Sequence, residues 1–181
     1  MATFTAIVTA HADEAAMLRT INSLLAQTRV PNEIIVLASD IGLSESERAY
    51  PAIRFHPEPN LSDWGHDKRA KGLDLAASDY SGWFNHDDSY DKTYIEVMMS
   101  EAEAGHDAVY CGWSKDSTPN FRSGSSTSGN YIVSTALARE AGYTDRHYEA
   151  DGTFIDKIAS NAKSVKFVPK VLYFHNEVRN G

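Results

Sequence analysis

Cysteine is all but missing from this chain. Cys111 stands alone among 181 residues, which excludes an intrachain disulfide and a thiolate zinc cage and fits a reducing, cytoplasmic setting. Long apolar runs are missing too. The first β-rich run, Phe4 to Thr9, is too short for a signal-peptide core and has no basic leader. No stretch approaches the roughly 18 consecutive apolar residues of a membrane span. Basic charge is scarce: 17 Lys and Arg face 25 Asp and Glu, for a formal charge of -8. The summed field repels polyanions and disfavours nucleic acid as a partner without excluding it. A negatively charged ligand can still bind where a divalent cation and a few basic groups reverse the local sign. An internal repeat and a domain linker are also absent, so residues 1–181 are expected to form one domain.

What is present alternates strand and helix. Phe4 to Thr9 leads into a segment where Leu18, Ile21 and Leu25 recur at helical spacing behind the acidic start Asp13-Glu14. After the break at Pro31-Asn32, Ile34 to Leu37 is branched and apolar enough for a strand covered on both faces. A Ser/Glu-rich loop, a short strand at Ala52 to Phe55 and a turn through Pro57 and Pro59 follow, then a helix from His66 to Ala77. Gly82 to Asn85 predicts a buried strand running into His86-Asp87-Asp88, ahead of a helix over Thr93 to Ala104. Beyond a strand at Asp107 to Trp113, the Gly/Ser/Thr stretch Arg122 to Asn130 has no periodicity and reads as a mobile loop. Helices at Thr135 to Ala141 and Gly152 to Ser160 and strands at Val165 to Val168 and Val171 to Phe174 close the chain. The pattern predicts an α/β domain with a mostly parallel central sheet flanked by helices and mixed elements near the C-terminus.

Asp87 and Asp88 fall at a strand's C-terminal end, where open α/β sheets bind ligands. Adjacent carboxylates repel unless a cation or hydrogen-bond donors separate them. Mg²⁺ or Mn²⁺ suits hard oxygen ligands with open positions. An exposed turn or a helix cap is the plainer reading. Asp151, with Glu149 before it and Gly152 after it, is either a cap or a general base. His175, ending the last strand, is a structural histidine or a metal or phosphate ligand. Arg69 and Lys71 meet phosphate or face water.

Taken in order, these segments resemble the family 2 glycosyltransferases over nearly the whole chain. Ala6-Ile7-Val8-Thr9-Ala10-His11, Ser23-Leu24-Leu25-Ala26-Gln27-Thr28 and Pro31-Asn32-Glu33-Ile34-Ile35-Val36-Leu37 are similar to that family's first strand, "SLLAQT" helix and second strand. Ser39-Asp40 falls where the family has its acidic pair for the nucleotide base, with Ser39 replacing one Asp. Lys68-Arg69-Ala70-Lys71-Gly72-Leu73 resembles "ARNxGL". Asn85-His86-Asp87-Asp88 sits at "DxDD", with an amide replacing the leading carboxylate. Gly142-Tyr143-Thr144-Asp145 resembles "GGFDE", Ala150-Asp151 falls on "ED", and Tyr173-Phe174-His175-Asn176 resembles the segment that closes over the diphosphate.

The resemblance implies a GT-A fold, with residues 1–88 as the nucleotide-binding half and 89–181 as the acceptor and catalytic half. It implies a donor site at Thr9, Ala10, His11, Asp40, Arg69, Lys71, Asn85 and Asp87. Mn²⁺ or Mg²⁺ is expected at Asp88, Asp87 and His175, and a catalytic base at Asp151 or Glu149. The implied reaction moves a sugar from a nucleotide-diphosphate donor, most commonly a UDP-sugar, to an acceptor hydroxyl with inversion. The acceptor, whether saccharide, lipid, protein or modified base, is unreadable, and an oligomer is possible. A nucleotidyltransferase is a weaker reading, because no Gly-rich basic loop follows the first strand. A silent nucleotide-sugar or carbohydrate-binding module draws support from Ser39 and Asn85. An HD-type phosphohydrolase is disfavoured by the number of strands.

Overall fold

The computed structural model describes residues 1–41, 52–61, 63–116, 118 and 120–175. The Ser/Glu-rich loop after Asp40 and the residue Asn176 lie outside them. Strand β1 (Phe4–His11) is the centre of the molecule, parallel to β2 (Glu33–Ser39) on one side and β4 (Tyr80–Asn85) on the other. Phe4, Ala6, Val8 and Ala10 make one face apolar, and on the other Ile7 lies between the buried Thr5 and Thr9, so both faces are covered. Phe4, Ala6, Val8 and Ala10 pack against Met17, Ile21 and Leu24 of α1 (Glu14–Leu25) and Ile95, Met98 and Met99 of α3 (Tyr94–Glu103). On the opposite face Ile7 joins Leu73 of α2 (His66–Leu75), Leu137 of α4 (Thr135–Ala141) and Phe154 and Ile158 of α5 (Ala150–Asn161).

Eight described strands form one sheet in the order β3-β2-β1-β4-β7-β6-β8-β5. β3 (Ile53–Pro57), β2, β1 and β4 are mutually parallel neighbours. β7 (Tyr131–Ser134) then pairs antiparallel with both β4 and β6 (Ala108–Trp113). β6 runs parallel to β8 (Val165–Phe174), and the two-residue β5 (Ser89–Tyr90) pairs antiparallel with the end of β8. The expected mostly parallel sheet with mixed late elements is therefore the architecture observed.

Two local features differ from the expectation. The two terminal strands are one, continuous through Pro169, with the register shifting opposite Cys111 to Trp113 because proline has no N–H for the ladder. The Gly/Ser/Thr stretch packs inward at its second half: Ser126, Ser128 and Asn130 are buried, and Asn130 donates to the Cys111 carbonyl at 2.9 Å. Polar side chains with good internal partners tolerate burial, which periodicity does not register.

Small motifs fix the helices. Asp13 caps α1 by accepting from the Ala16 N–H at 2.9 Å, as its acidic start predicts. Gln27 is buried, donating to the Asp91 carbonyl at 3.0 Å and accepting from the Ile95 N–H at 3.1 Å, which ties the end of α1 to the start of α3. Gly72 lets α2 lie against the sheet: a Cβ there would stand 2.3 Å from Ile7 Cγ2 and 3.0 Å from Leu37 Cδ1. Gly72→Ala is expected to cost about 1–3 kcal/mol by overpacking. In urea titrations the midpoint should fall with the slope unchanged.

Candidate active site

The C-terminal ends of β1, β2 and β4 open on the same edge of the sheet, with His11 opposite Ser39 and Thr9 opposite Asn85. From Asn85 the chain turns through His86-Asp87-Asp88 into β5, whose pairing with β8 sets Ser89 against Phe174 and Tyr90 against Tyr173. That pairing draws Asp88 to the end of β8. Asp88 is 2% exposed and accepts from Asn85 Nδ2 at 2.9 Å and from the Tyr173 hydroxyl at 2.8 Å, both on Oδ2. Its Oδ1 lies 3.1 Å from His175 Nδ1, which is also 3.0 Å from the Tyr173 hydroxyl. Burial, and then the charge of Asp88, push the Tyr173 hydroxyl well above its ordinary pKa, so it stays protonated as a donor. Gly129 makes room for the Tyr173 ring, which a Cβ would approach to 2.2 Å.

Asn85 links this carboxylate to a cation. Its oxygen accepts from Arg69 Nη2 at 2.8 Å while its nitrogen faces Asp88. Arg69 is nearly buried, donates from Nη1 to the Trp64 carbonyl at 2.8 Å, and has an Nε with no hydrogen-bond partner among the described residues. An amide can satisfy both neighbours at once; a carboxylate at position 85 would oppose Asp88.

Arg69 and Asn85, with Trp64, form the wall shared by two cavities. The first, about 550 Å³, is lined by the expected Thr9, Ala10, His11, Arg69, Asn85 and Asp87, joined by Lys68, Asp63 and His86. The second, about 400 Å³, brings Arg69, Asn85 and His175 together with Glu149 and Asp151. Asp151, in the first turn of α5, accepts from the Gly152 N–H at 2.9 Å. Asp40 is not among the lining residues of the first cavity, but its Oδ2 is 3.3 Å from Nδ1 of the lining His11, and its backbone has a φ of +62°. Lys71 is not among the lining residues; its ammonium lies 2.6 Å from Glu58.

Residues 5–162 match the sequence profile of glycosyl transferase family 2. The chain belongs to that family. Among solved structures it is similar to S. aureus TarS 1–349 in complex with UDP, at a TM-score of 0.77 and 17% identity over 95% of this chain and 60% of that one. TarS 1–349 in complex with UDP-GlcNAc gives 0.71 and 18% over 95% and 58%, and the structure titled S. aureus TarS gives 0.76 and 17% over 96% and 36%. This family 2 chain thus spans three-fifths or less of those chains, and the likeness establishes the GT-A fold. No curated protein matches it. Among the described residues no helix is long and apolar enough to cross a membrane.

The residues expected to hold a cation form a partial set. No three His, Cys, Asp or Glu side chains among the described residues group as a cage. Asp88 and His175 nevertheless face each other at 3.1 Å beside the Asn85 wall. Oxygen donors with one imidazole suit Mg²⁺ or Mn²⁺, which keep waters and take phosphate oxygens, so one or two protein ligands suffice.

Lys68, Trp64, Tyr148 and Tyr173 were not assigned from the sequence. Lys68 was within reach: Gly72 marks the sheet-facing side of α2, and positions 68 and 69, four and three residues before it, share that side while 71 does not. Tyr173 gave no local signal, because its partner Asp88 lies 85 residues away.

His66, 2% exposed, sits 3.1 Å from the Tyr143 hydroxyl and 3.3 Å from Arg69 Nη1. Burial first and then Arg69 lower its pKa, against the opposing pull of Asp151 and Asp63. A histidine kept neutral in the fold contributes stability that is complete above about pH 6.5 and lost as the pH falls towards its lowered folded value, because the unfolded chain protonates first. The parent chain is therefore expected to lose more stability between pH 7 and 5 than His66→Gln, measured by guanidinium titrations at each pH. Asn85→Asp should cost about 1–3 kcal/mol at pH 8 in chelator by opposing Asp88. That deficit should shrink towards pH 5, where one of the two acids protonates more readily than an isolated one.

Proposed function

We propose that the chain transfers a sugar from a nucleotide-diphosphate donor, a UDP-sugar, to an acceptor hydroxyl with inversion. The observation that carries this reading is the shared wall. Arg69, Asn85 and Trp64 line both a cavity containing Asp87 and one containing Asp151, so the two adjoin, and a reaction between two substrates needs both held side by side.

In this reading the nucleoside diphosphate occupies the first cavity. Thr9, Ala10, His11 and Asp40 contact the nucleoside, and Asp87 the ribose. Lys68 and Arg69, both lining this cavity, meet the phosphates. Lys71, held by Glu58, has no part. Asp88, with Asp87 and His175, would hold Mg²⁺ or Mn²⁺, which when bound neutralises negative charge on a departing diphosphate. Asp151 takes the proton of the acceptor hydroxyl as its oxygen bonds to the anomeric carbon. The bond from that carbon to the diphosphate breaks, and its electron pair leaves with the nucleoside diphosphate. Attack opposite the leaving group inverts the anomeric centre. Glu149, lining the same cavity, is the alternative base. In this reading residues 1–88 serve the donor and 89–181 the acceptor and catalysis; the first cavity's lining, from Thr9 to Asp87, supports it, while Trp64, His66, Arg69 and Asn85 also line the second.

A silent nucleotide-sugar-binding module is the second reading, favoured by Asn85 and the partial cation set. The two are separable. Asp151→Asn is expected to reduce transfer or donor hydrolysis roughly 100- to 10,000-fold while keeping the melting-point rise with UDP and Mn²⁺. A parent chain that is stabilised by the nucleotide but turns over no sugar nucleotide is a silent module. The absence of a melting shift with every nucleoside diphosphate, with or without Mn²⁺, sinks both readings.

A further inference from the structure

Resting on that reading and naming the substrate class it leaves open, we infer that the acceptor is a neutral saccharide, seated in the second cavity against an aromatic clasp of Trp64 and Tyr148. Large aromatic side chains are rarely left in water without a use. Trp64 is 60% and Tyr148 71% exposed, yet their rings meet edge to face with centroids 5.6 Å apart, and both line this cavity. The two come from distant parts of the chain, so their meeting is a product of the fold.

The backbone beneath Trp64 is built to present it. Trp64 has a φ of +55°, a left-handed conformation that a bulky side chain avoids, and Gly65 follows at +80°. Three hydrogen bonds from or to side chains hold this turn. Asp63 accepts from the N–H of Gly65 at 3.1 Å and of Asp67 at 2.6 Å, and Arg69 donates to the Trp64 carbonyl at 2.8 Å. Arg69 thus fixes both the wall between the cavities and the orientation of the indole. Trp64 also lines both chambers, where the donor sugar and the incoming ring meet.

The rest of the lining selects the chemistry. The same lining includes Ser123, Ser126, Thr127 and Ser128. A pyranose offers apolar C–H faces to the negative faces of aromatic rings and hydroxyls around its edge, and this lining supplies both complements. Among the described residues the lining has no aliphatic side chain, and its apolar surface is that of flat rings. Its described acids are Glu149 and Asp151, while Arg69 donates to Asn85 and Trp64 and, in this reading, serves the donor's phosphates. That balance favours a neutral ring over a phosphorylated acceptor.

The test uses the full chain and four probe classes: methyl β-glucopyranoside with methyl β-galactopyranoside, methyl α-mannopyranoside, glycerol 3-phosphate, and a Ser/Thr peptide. Binding is read by saturation-transfer NMR in the presence of UDP and Mn²⁺, and transfer by release of UDP from UDP-sugars. At least one neutral glycoside is expected to bind and to accept, and neither of the last two probes. Tyr148→Ala should weaken glycoside binding roughly three- to tenfold, and Tyr148→Phe should restore it, since stacking needs the ring and not the hydroxyl. The UDP melting shift of each variant reports that the fold and the donor cavity are intact. Unchanged glycoside affinity in both Tyr148→Ala and Trp64→Ala overturns the inference, as does use of glycerol 3-phosphate or the peptide in place of every glycoside. Glycoside binding without any turnover of a sugar nucleotide keeps the clasp and rejects transfer; turnover without glycoside binding does the reverse.

Discussion

A carboxylate withdrawn from water either takes up a proton or is surrounded by donors, and Asp88 is surrounded. The amide of Asn85 at the end of β4, the hydroxyl of Tyr173 near the end of β8 and the ring of His175 just beyond it all reach it. No single element supplies more than part of that environment. Holding Asp88 buried therefore requires β5 to pair with β8 and the turn after β4 to stay in register with both. The same requirement extends through Asn85 to Arg69, and from Arg69 to the turn that carries Trp64. The wall between the two cavities is in this sense the outer face of the solvation of one buried acid.

The sheet makes this convergence possible by changing character halfway across. The parallel strands β3, β2, β1 and β4 deliver their C-terminal ends to one edge, the usual place for a ligand in such sheets. Beyond β4 the antiparallel insertion of β7 and the parallel return of β8 bring the last part of the chain back to that edge. The packing beneath is aromatic: Trp83 contacts Tyr131, Tyr143 and Phe154. Asp151 leaves α5 just above this layer, and its charge reaches Tyr131, Tyr143 and His66. A rigid apolar floor of this kind holds a polar site in place without contributing to its chemistry.

The first 40 residues were the most legible. β1, α1 and β2 follow from two apolar runs and one amphipathic stretch, each written in contiguous residues. Asp87, Asp88 and Asp151 stood out for the same reason, since paired acids after a buried strand and an acid at a helix start are local patterns. Lys71 shows where local pattern stops: one step along α2 decides between the cavity wall, reached by Lys68 and Arg69, and Glu58. β5 and β7 escaped notice because strands of two and four residues carry too little periodicity to be seen. Pro169 misled for a physical reason as well, since the missing N–H interrupts pairing without ending the strand.

By itself, then, the order of residues determined the class of fold, the central strands, and the identities of the acids at the sheet edge, because each is written within a window of a few residues. The tertiary structure alone decided which side chains share a chamber. Asn85 bridging Arg69 to Asp88, Tyr173 meeting Asp88, and Trp64 meeting Tyr148 are contacts between segments separated by anything from three to more than eighty positions. The longer ones exist only because strand pairing closes those distances, and no local propensity encodes a pairing partner.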